Sequence, residues 1–293
     1  GFKGTAEDLY IEIRKVVLKQ QQLFENAYEQ IKAEFQKDNI HFIDESACTT
    51  LELKELDDFF HEQLKHAIFP ILLDKKRPLP KLRDYSIYLG VKIVSKTKVR
   101  YALIQIPTDY SRFFILRKGE QTNVILIDDI IRLYLNEIFA VYQAEQIEAY
   151  TFKFTRDAEL DLDDDLSLTF FEKIEKSLKQ RKKGQPVRFV YDAQMPNDLL
   201  LFLLQQLNLK KGVNTIPGGR YHNFKDFMQF PDFGNKEFVY TPYKAVDHPS
   251  FHKQNSLIKV ILEKDVLLHY PYHRFDHVVD LLREAAIDPK VVS

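Results

Sequence analysis

Two stretches of the chain gather the residue types that hold anions or exchange protons. The first runs Ile216-Pro217-Gly218-Gly219-Arg220-Tyr221-His222-Asn223-Phe224-Lys225-Asp226-Phe227. If residues 221–227 open a helix, Arg220 stands at its N-terminus, where free backbone N–H groups attract anions, and Lys225 follows one turn later. The two cations, with His222 between them, could then share a phosphate or a carboxylate. A structural reading competes: Phe224 and Phe227 enter a core, His222 is a satisfied hydrogen-bonding residue, and Arg220 pairs with Asp226.

The second stretch is Asp265-Val266-Leu267-Leu268-His269-Tyr270-Pro271-Tyr272-His273-Arg274-Phe275-Asp276-His277. It reads as a strand ending in a loop that enters a helix, a frequent location for binding groups. Tyr272, His273 and Arg274 would project near that loop, either towards a ligand or into packing.

Other chemistries lack a motif. The sequence holds no G-x-S-x-G, no Walker phosphate loop, no H-E-x-x-H and no paired-cysteine metal site. Asp161, Asp163, Asp165 and Glu172 imitate a calcium loop, but Leu166 stands where a glycine must turn the chain, so a solvated acidic loop is expected. Arg181-Lys182-Lys183-Gly184 reads as a helix end, with cations on the negative pole of the dipole and glycine at the exit. Cys48 has no cysteine partner and no basic neighbour, so neither a disulfide nor a reactive thiol is expected.

The elements that must position these groups follow from periodicity. Apolar residues three to four apart over residues 9–35 predict one long helix whose stripe needs a partner surface. A strand over residues 40–43 and a helix capped by Thr49 or Thr50 come next, the helix ended or kinked by Pro70. Strict alternation predicts a strand over 85–94 and a hairpin partner over 99–106. Further strands are expected at 123–127, 150–155 and 187–191, and helices at 128–140, 168–182 and 196–207. Residues 256–286 read as strand, loop and helix. Strands and helices mix without a strict βαβ rhythm, so the fold class is α+β.

Composition agrees with a globular chain. Of 293 residues, 45% are hydrophobic and 29% charged, enough for one large domain or two smaller ones. The net charge of −1 provides no general cationic surface, so nucleic acid is not an expected partner. No apolar run is long enough to span a bilayer and no secretory leader opens the chain. A single cysteine suits a reducing, cytoplasmic setting, with a position peripheral to a membrane left open.

The same segments carry a family resemblance. Pro217-Gly218-Gly219-Arg220-Tyr221-His222, Asp265-Val266-Leu267-Leu268 and Tyr270-Pro271-Tyr272-His273 resemble the class-1 polyphosphate kinases. So do Arg100-Tyr101-Ala102-Leu103-Ile104-Gln105-Ile106-Pro107, Thr155-Arg156-Asp157-Ala158-Glu159 and Pro186-Val187-Arg188-Phe189-Val190-Tyr191. The likeness runs in order from about residue 70 to the C-terminus.

By that resemblance, residues 1–38 are the end of a helical N-terminal domain and 39–250 a mixed α/β head domain. Residues 251–293 are then the opening strand and helix of a phospholipase D-like catalytic domain. The resemblance implies reversible transfer of the terminal phosphate of ATP to inorganic polyphosphate, with Mg2+ and a phosphohistidine intermediate, in a homo-oligomer. It places the phosphorylated histidine and the metal-binding arginines in segments after Ser293. No catalytic and no metal residue is therefore expected in this chain, and neither Mg2+ nor ATP is expected to bind it tightly. The candidate polyphosphate-binding residues are Arg220, His222, Lys225, Tyr272, His273 and Arg274. The alternative is a non-enzymatic module for dimerisation and polyanion guidance.

Overall fold

Threonines open the first two helices by the same device. The Thr5 backbone N–H and hydroxyl donate to Asp8 Oδ2 at 2.9 and 2.7 Å, fixing the start of α1 (Ala6–Lys37). The Thr49 N–H and hydroxyl each lie 2.7 Å from Glu52 Oε2 at the head of α2 (Thr50–Glu62). Both are reciprocal capping boxes, which satisfy backbone donors that the helix itself leaves open. The computed structural model describes residues 5–77, 79, 82–84, 86–96, 98–156, 186–209, 211, 215–222 and 224–291. The expected helix at 168–182, the acidic loop of Asp161, Asp163 and Asp165, and the Arg181-Lys182-Lys183-Gly184 terminus lie outside them.

The chain forms two compact units, Gly1–Phe230 and Pro231–Ser293. In the first, a small sheet pairs β1 (Ile40–Ile43) parallel to β6 (Gln121–Leu126), which runs antiparallel to β5 (Phe113–Lys118). A larger sheet has the order β2-β4-β3-β7-β8-β9, where β2 is Ile71–Leu73, β3 Tyr88–Ser95 and β4 Lys98–Gln105. Its other members are β7 (Gln146–Arg156), β8 (Pro186–Asp192) and β9 (Thr215–Gly218). The strands read from alternation all form; the short edge strands β2 and β9, and β5, carry too little alternation to be read in advance.

The large sheet separates two cores, because successive side chains along each strand point to opposite faces. Tyr88, Leu103, Phe152, Phe154, Phe189 and Tyr191 bury against α5 (Asn197–Gln206), chiefly Leu199, Leu200, Leu203 and Leu204. Gly90 permits that approach: a β-carbon there would lie 3.2 Å from Leu203 Cδ1. On the opposite face Leu89, Val91, Ile93, Ala102 and Ile104 pack with α2, α3 (Ile127–Leu133) and the small sheet. The single helix expected over 128–140 is instead α3, a one-turn α4 (Leu135–Ile138) and a 3-10 turn at Ala140–Tyr142. The chain bends where Phe139 and Leu135 must both reach this core.

In the second unit the strand expected at the start of residues 256–286 is absent. Leu257–Glu263 is a helix, α6, capped by Ser256, whose hydroxyl accepts from the Lys259 N–H at 3.1 Å. Residues 265–268 lack regular structure. The apolar run Val266-Leu267-Leu268 predicts a strand, but these side chains are not packed between sheet neighbours; Leu267 is 84% exposed. The helix at the end of the unit, α7 (Asp276–Ile287), forms as expected.

Candidate functional site

Asp128 and Asp129 sit in the first turn of α3, inside the apolar sequence Ile127 to Ile131, and both are fully buried. A buried carboxylate requires a charge partner and hydrogen bonds. Arg112, on the approach to β5, grips Asp128 with two bonds, Nε to Oδ2 at 2.8 Å and Nη2 to Oδ1 at 2.9 Å. Burial pushes the Asp128 carboxyl up, but the Arg112 guanidinium outweighs it and holds the pKa below the usual carboxylate value. Arg112 Nη1 also donates to Asp226 Oδ2 at 2.7 Å and to the His222 carbonyl at 2.8 Å.

Asp129 binds the rest of the glycine-arginine segment. Arg220 Nη2 donates to its Oδ1 at 2.8 Å and Tyr221 donates to Oδ2 at 2.6 Å. Arg132, one turn along α3, adds Nη1 to Oδ1 at 2.7 Å and reaches Thr151 Oγ1 on β7 at 2.6 Å. Burial drives the Asp129 pKa up to about 6, against the pull of Arg132 and Arg220. Arg220 also pairs with Glu45.

The phenylalanines of the segment dock on α1. The 3-10 turn Phe224–Gln229 sets Phe224 4.6 Å from Phe24 and 4.8 Å from Tyr28, centroid to centroid. Phe227 lies 4.7 Å from Phe113 of β5, and Phe230 5.4 Å from Phe35. These edge-on and offset contacts are the favoured aromatic geometries. Part of the α1 stripe thus finds its partner inside this unit, whereas Leu9, Ile13, Val16 and Ile31 stay exposed.

This geometry corrects three expectations. Tyr221 and His222 are not helical, so Arg220 is not at a helix N-terminus; its guanidinium is needed by Asp129 and Glu45. Asp226 pairs with Arg112 instead of Arg220. His222 is not fully satisfied: its Nε2 is buried without a hydrogen-bond partner. Burial, then the nearby Lys153, lowers the His222 pKa to about 3, so the ring is neutral.

Lys225 is exposed and borders a pocket of about 230 Å³ that also contains Ser86, Thr108 and Arg112. Arg220 instead faces a pocket of about 390 Å³ rimmed by Glu25, Glu29 and Asp44. Arg112, Asp128, Asp129, Arg132 and Glu45 were not singled out from sequence. Two adjacent aspartates within an apolar helical run were the available signal, since such a pair cannot be buried unmatched.

In the second unit, His273 Nδ1 accepts from the His269 N–H at 2.9 Å and His248 Nδ1 from the Ser250 N–H at 3.1 Å. The two rings stand 4.9 Å apart. With Nδ1 accepting, the neutral imidazoles carry their proton on Nε2. Burial, then His273 and His277, hold the His248 pKa below the usual imidazole value. Arg274 is engaged by Asp276 at 2.6 Å and Asp247 at 3.3 Å. Tyr272 is exposed, its ring 5.4 Å from Tyr243. Among the described residues, no cluster of three histidine, cysteine, aspartate or glutamate side chains could hold a metal ion, and no helix is long and apolar enough to cross a membrane.

The first unit is a mixed-sheet domain stitched by buried arginine–aspartate pairs, and the second is mainly helical. Residues 52–230 match the family model described as the polyphosphate kinase middle domain, and residues 256–293 the polyphosphate kinase C-terminal domain 1. The chain belongs to the polyphosphate kinase family. It is 36% identical over 299 residues to the polyphosphate kinase of Vibrio cholerae, covering 100% of this chain and 43% of that protein. It is 37% identical over 301 residues to that of Escherichia coli K12, covering 100% of this chain and 44% of the relative. The crystal structure of polyphosphate kinase from Porphyromonas gingivalis superposes with a TM-score of 0.70 at 27% identity, over 97% of this chain and 41% of that one. The chain thus spans less than half the length of these relatives.

Proposed function

We propose that this chain is the head-containing segment of a polyphosphate kinase that reversibly transfers the terminal phosphate of ATP to inorganic polyphosphate. The observation that carries the reading is the continuous match of the whole chain, at 36–37% identity, to relatives named for that activity. The parent uses Mg2+ and a phosphohistidine, acts in the cytoplasm, and assembles as a homo-oligomer.

The segment contributes by shape and charge. Phosphoryl transfer depends mainly on positioning and on cations around the moving group, and a histidine nucleophile divides it into two easier steps. Three histidines near the candidate segments are engaged otherwise. His222 is buried and neutral, and the Nδ1 atoms of His248 and His273 accept backbone hydrogen bonds. Lys225, Tyr272 and Arg274 are exposed and His273 half-buried, and these are the candidates for polyphosphate contact; Arg220 and His222 could reach a polyanion only by giving up the carboxylate pairs and the burial described above.

The test compares the purified 293-residue chain with a chain extended to the length of its relatives, each given ATP, Mg2+ and a polyphosphate primer. Polymer synthesis and acid-labile phosphohistidine are expected in the extended chain alone. Turnover by the shorter chain, or none by the longer one, would overturn the reading.

A further inference from the structure

Residues 246–250 of the second unit lie against residues 269–277 of the same unit. The Val246 N–H donates to the Tyr272 carbonyl at 2.9 Å and the Arg274 N–H to the Val246 carbonyl at 3.0 Å, a short parallel bridge between Val246 and His273. Three further backbone donors of this region end on imidazoles. The His248 N–H donates to His277 Nε2 at 3.0 Å, the Ser250 N–H to His248 Nδ1 at 3.1 Å, and the His269 N–H to His273 Nδ1 at 2.9 Å. A ring nitrogen accepts a hydrogen bond only while it carries no proton. All three contacts therefore require neutral rings, protonated on Nδ1 in His277 and on Nε2 in His248 and His273.

The rings are also neighbours. His248 and His273 lie 4.9 Å apart, centroid to centroid, and the buried His277 ring at the head of α7 stands 5.2 Å from Phe251. Burial, then His273, His277 and Lys264, disfavours a charge on His248. The His269 ring faces Tyr272 at 4.9 Å. Asp276 is held by Arg274 at 2.6 Å, and Asp247 is shared: its Oδ1 lies 3.3 Å from Arg274 and 3.7 Å from His277 Nε2. A protonated His277 would have to turn from the His248 N–H to that carboxylate. One proton then exchanges a backbone contact for a side-chain one and leaves the His248 N–H without its acceptor.

We propose that His248, His273 and His277 form an acid-sensitive latch that holds residues 246–250 against the 269–277 loop and the head of α7. With neutral rings the three backbone N–H groups are satisfied. Protonation sets a donor against a donor at each contact, and a charged His248 also faces His273, so the contacts fail together and residues 246–250 come away. The contact between α6 and α7, in which Glu284 accepts from the Leu257 N–H at 2.7 Å, uses no imidazole and stays closed. The direction follows from His248, whose folded value lies below the 6.5 of the free group: its contribution is present above pH 6.5 and is lost as pH falls. The latch is independent of the activity proposed above.

The experiment is amide hydrogen exchange by NMR on the 293-residue chain near pH 7.5 and near pH 5.5, expressed as protection over the intrinsic rate at each pH. Protection of the His248, Ser250 and His269 amides should fall together by about tenfold or more. That is the factor contributed near pH 5.5 by one imidazole with a free value of 6.5 whose proton the closed form excludes. The Leu257 and Ile258 amides, both donors to Glu284, should keep theirs. His248→Asn and His273→Asn place an amide oxygen near the Nδ1 position, and His277→Gln places one near Nε2. The triple variant should therefore keep its acceptors and show equal protection at both pH values. His222→Gln, in the first unit, should leave the response of these amides as in wild type.

Equal protection of the three amides at both pH values in wild type would overturn the latch, as would a pH response that survives in the triple variant. A loss of the same size at Leu257 would also refute it, because the unit would then be opening as a whole. If the triple variant does not fold, the wild-type chain decides alone through its imidazole nitrogen shifts. His248 should titrate below the free value of 6.5, in step with the loss of Ser250 and His269 protection. Titration without that loss would rule the latch out.

Discussion

Tyr221 donates its hydroxyl to Asp129 at 2.6 Å, and this bond fixes a loop residue to the buried start of α3. The same carboxylate receives Arg132 from within its helix and Arg220 from the loop. One aspartate therefore anchors Arg220 and Tyr221, while Arg112 holds the His222 carbonyl and Asp226. Lys225 follows on the 3-10 turn and borders the pocket lined by Ser86, Thr108 and Arg112.

The Arg112–Asp128 pair is expected to be the most sensitive element. Its side chains are 8% and 0% exposed, and Arg112→Met leaves Asp128 charged, buried and unmatched. Removing one partner of a buried pair costs about 3–5 kcal/mol. Urea denaturation should show that loss, and the double variant Arg112→Met with Asp128→Leu should recover part of it. A single variant as stable as wild type would show that the pair is dispensable.

Tyr221→Phe keeps the ring and deletes one bond to a carboxylate that retains two arginines. A hydrogen bond to a charged group is worth about 1.5–3 kcal/mol, and the low end is expected here. The loss should be read in the denaturation midpoint, with the fold intact by circular dichroism.

Acid should weaken the fold through His222 while Asp129 acts the other way. The His222 pKa is about 3 in the fold against 6.5 for the free group, so between those values the unfolded chain binds a proton that the folded chain refuses. Its contribution is present above pH 6.5 and is lost as pH falls. Asp129 is raised from 3.8 to about 6, so its contribution is present at low pH and is lost as pH rises through that window. His222→Gln removes the first effect alone. Its stability should decline less than wild type between pH 6 and pH 4, and equal slopes would contradict the neutral, buried assignment.

Cys48 should react slowly. Burial, then Glu52 and Asp44, pushes its thiol up from 9.0 to about 11. The thiolate fraction near pH 8 then falls about 100-fold, and alkylation by iodoacetamide should slow in proportion, because the thiolate is the nucleophile. Recovery of the ordinary rate in urea would confirm that the fold is the cause.

Local pattern alone determined much of this chain. Alternation fixed β3 and β4, because a half-buried strand needs an apolar residue at every second position. Spacing of three and four fixed α1, where a helix must keep one face apolar. The family likeness was carried by short segments whose order survives in the sequence. Tertiary structure decided what local pattern does not encode: that Arg220 is consumed by Asp129 and Glu45, and that Asp226 belongs to Arg112. These choices depend on which distant groups share a low-dielectric interior. Burial makes an unmatched charge costly only after the chain has closed, so the partner of each charge is set by the fold and cannot be read from its neighbours in sequence.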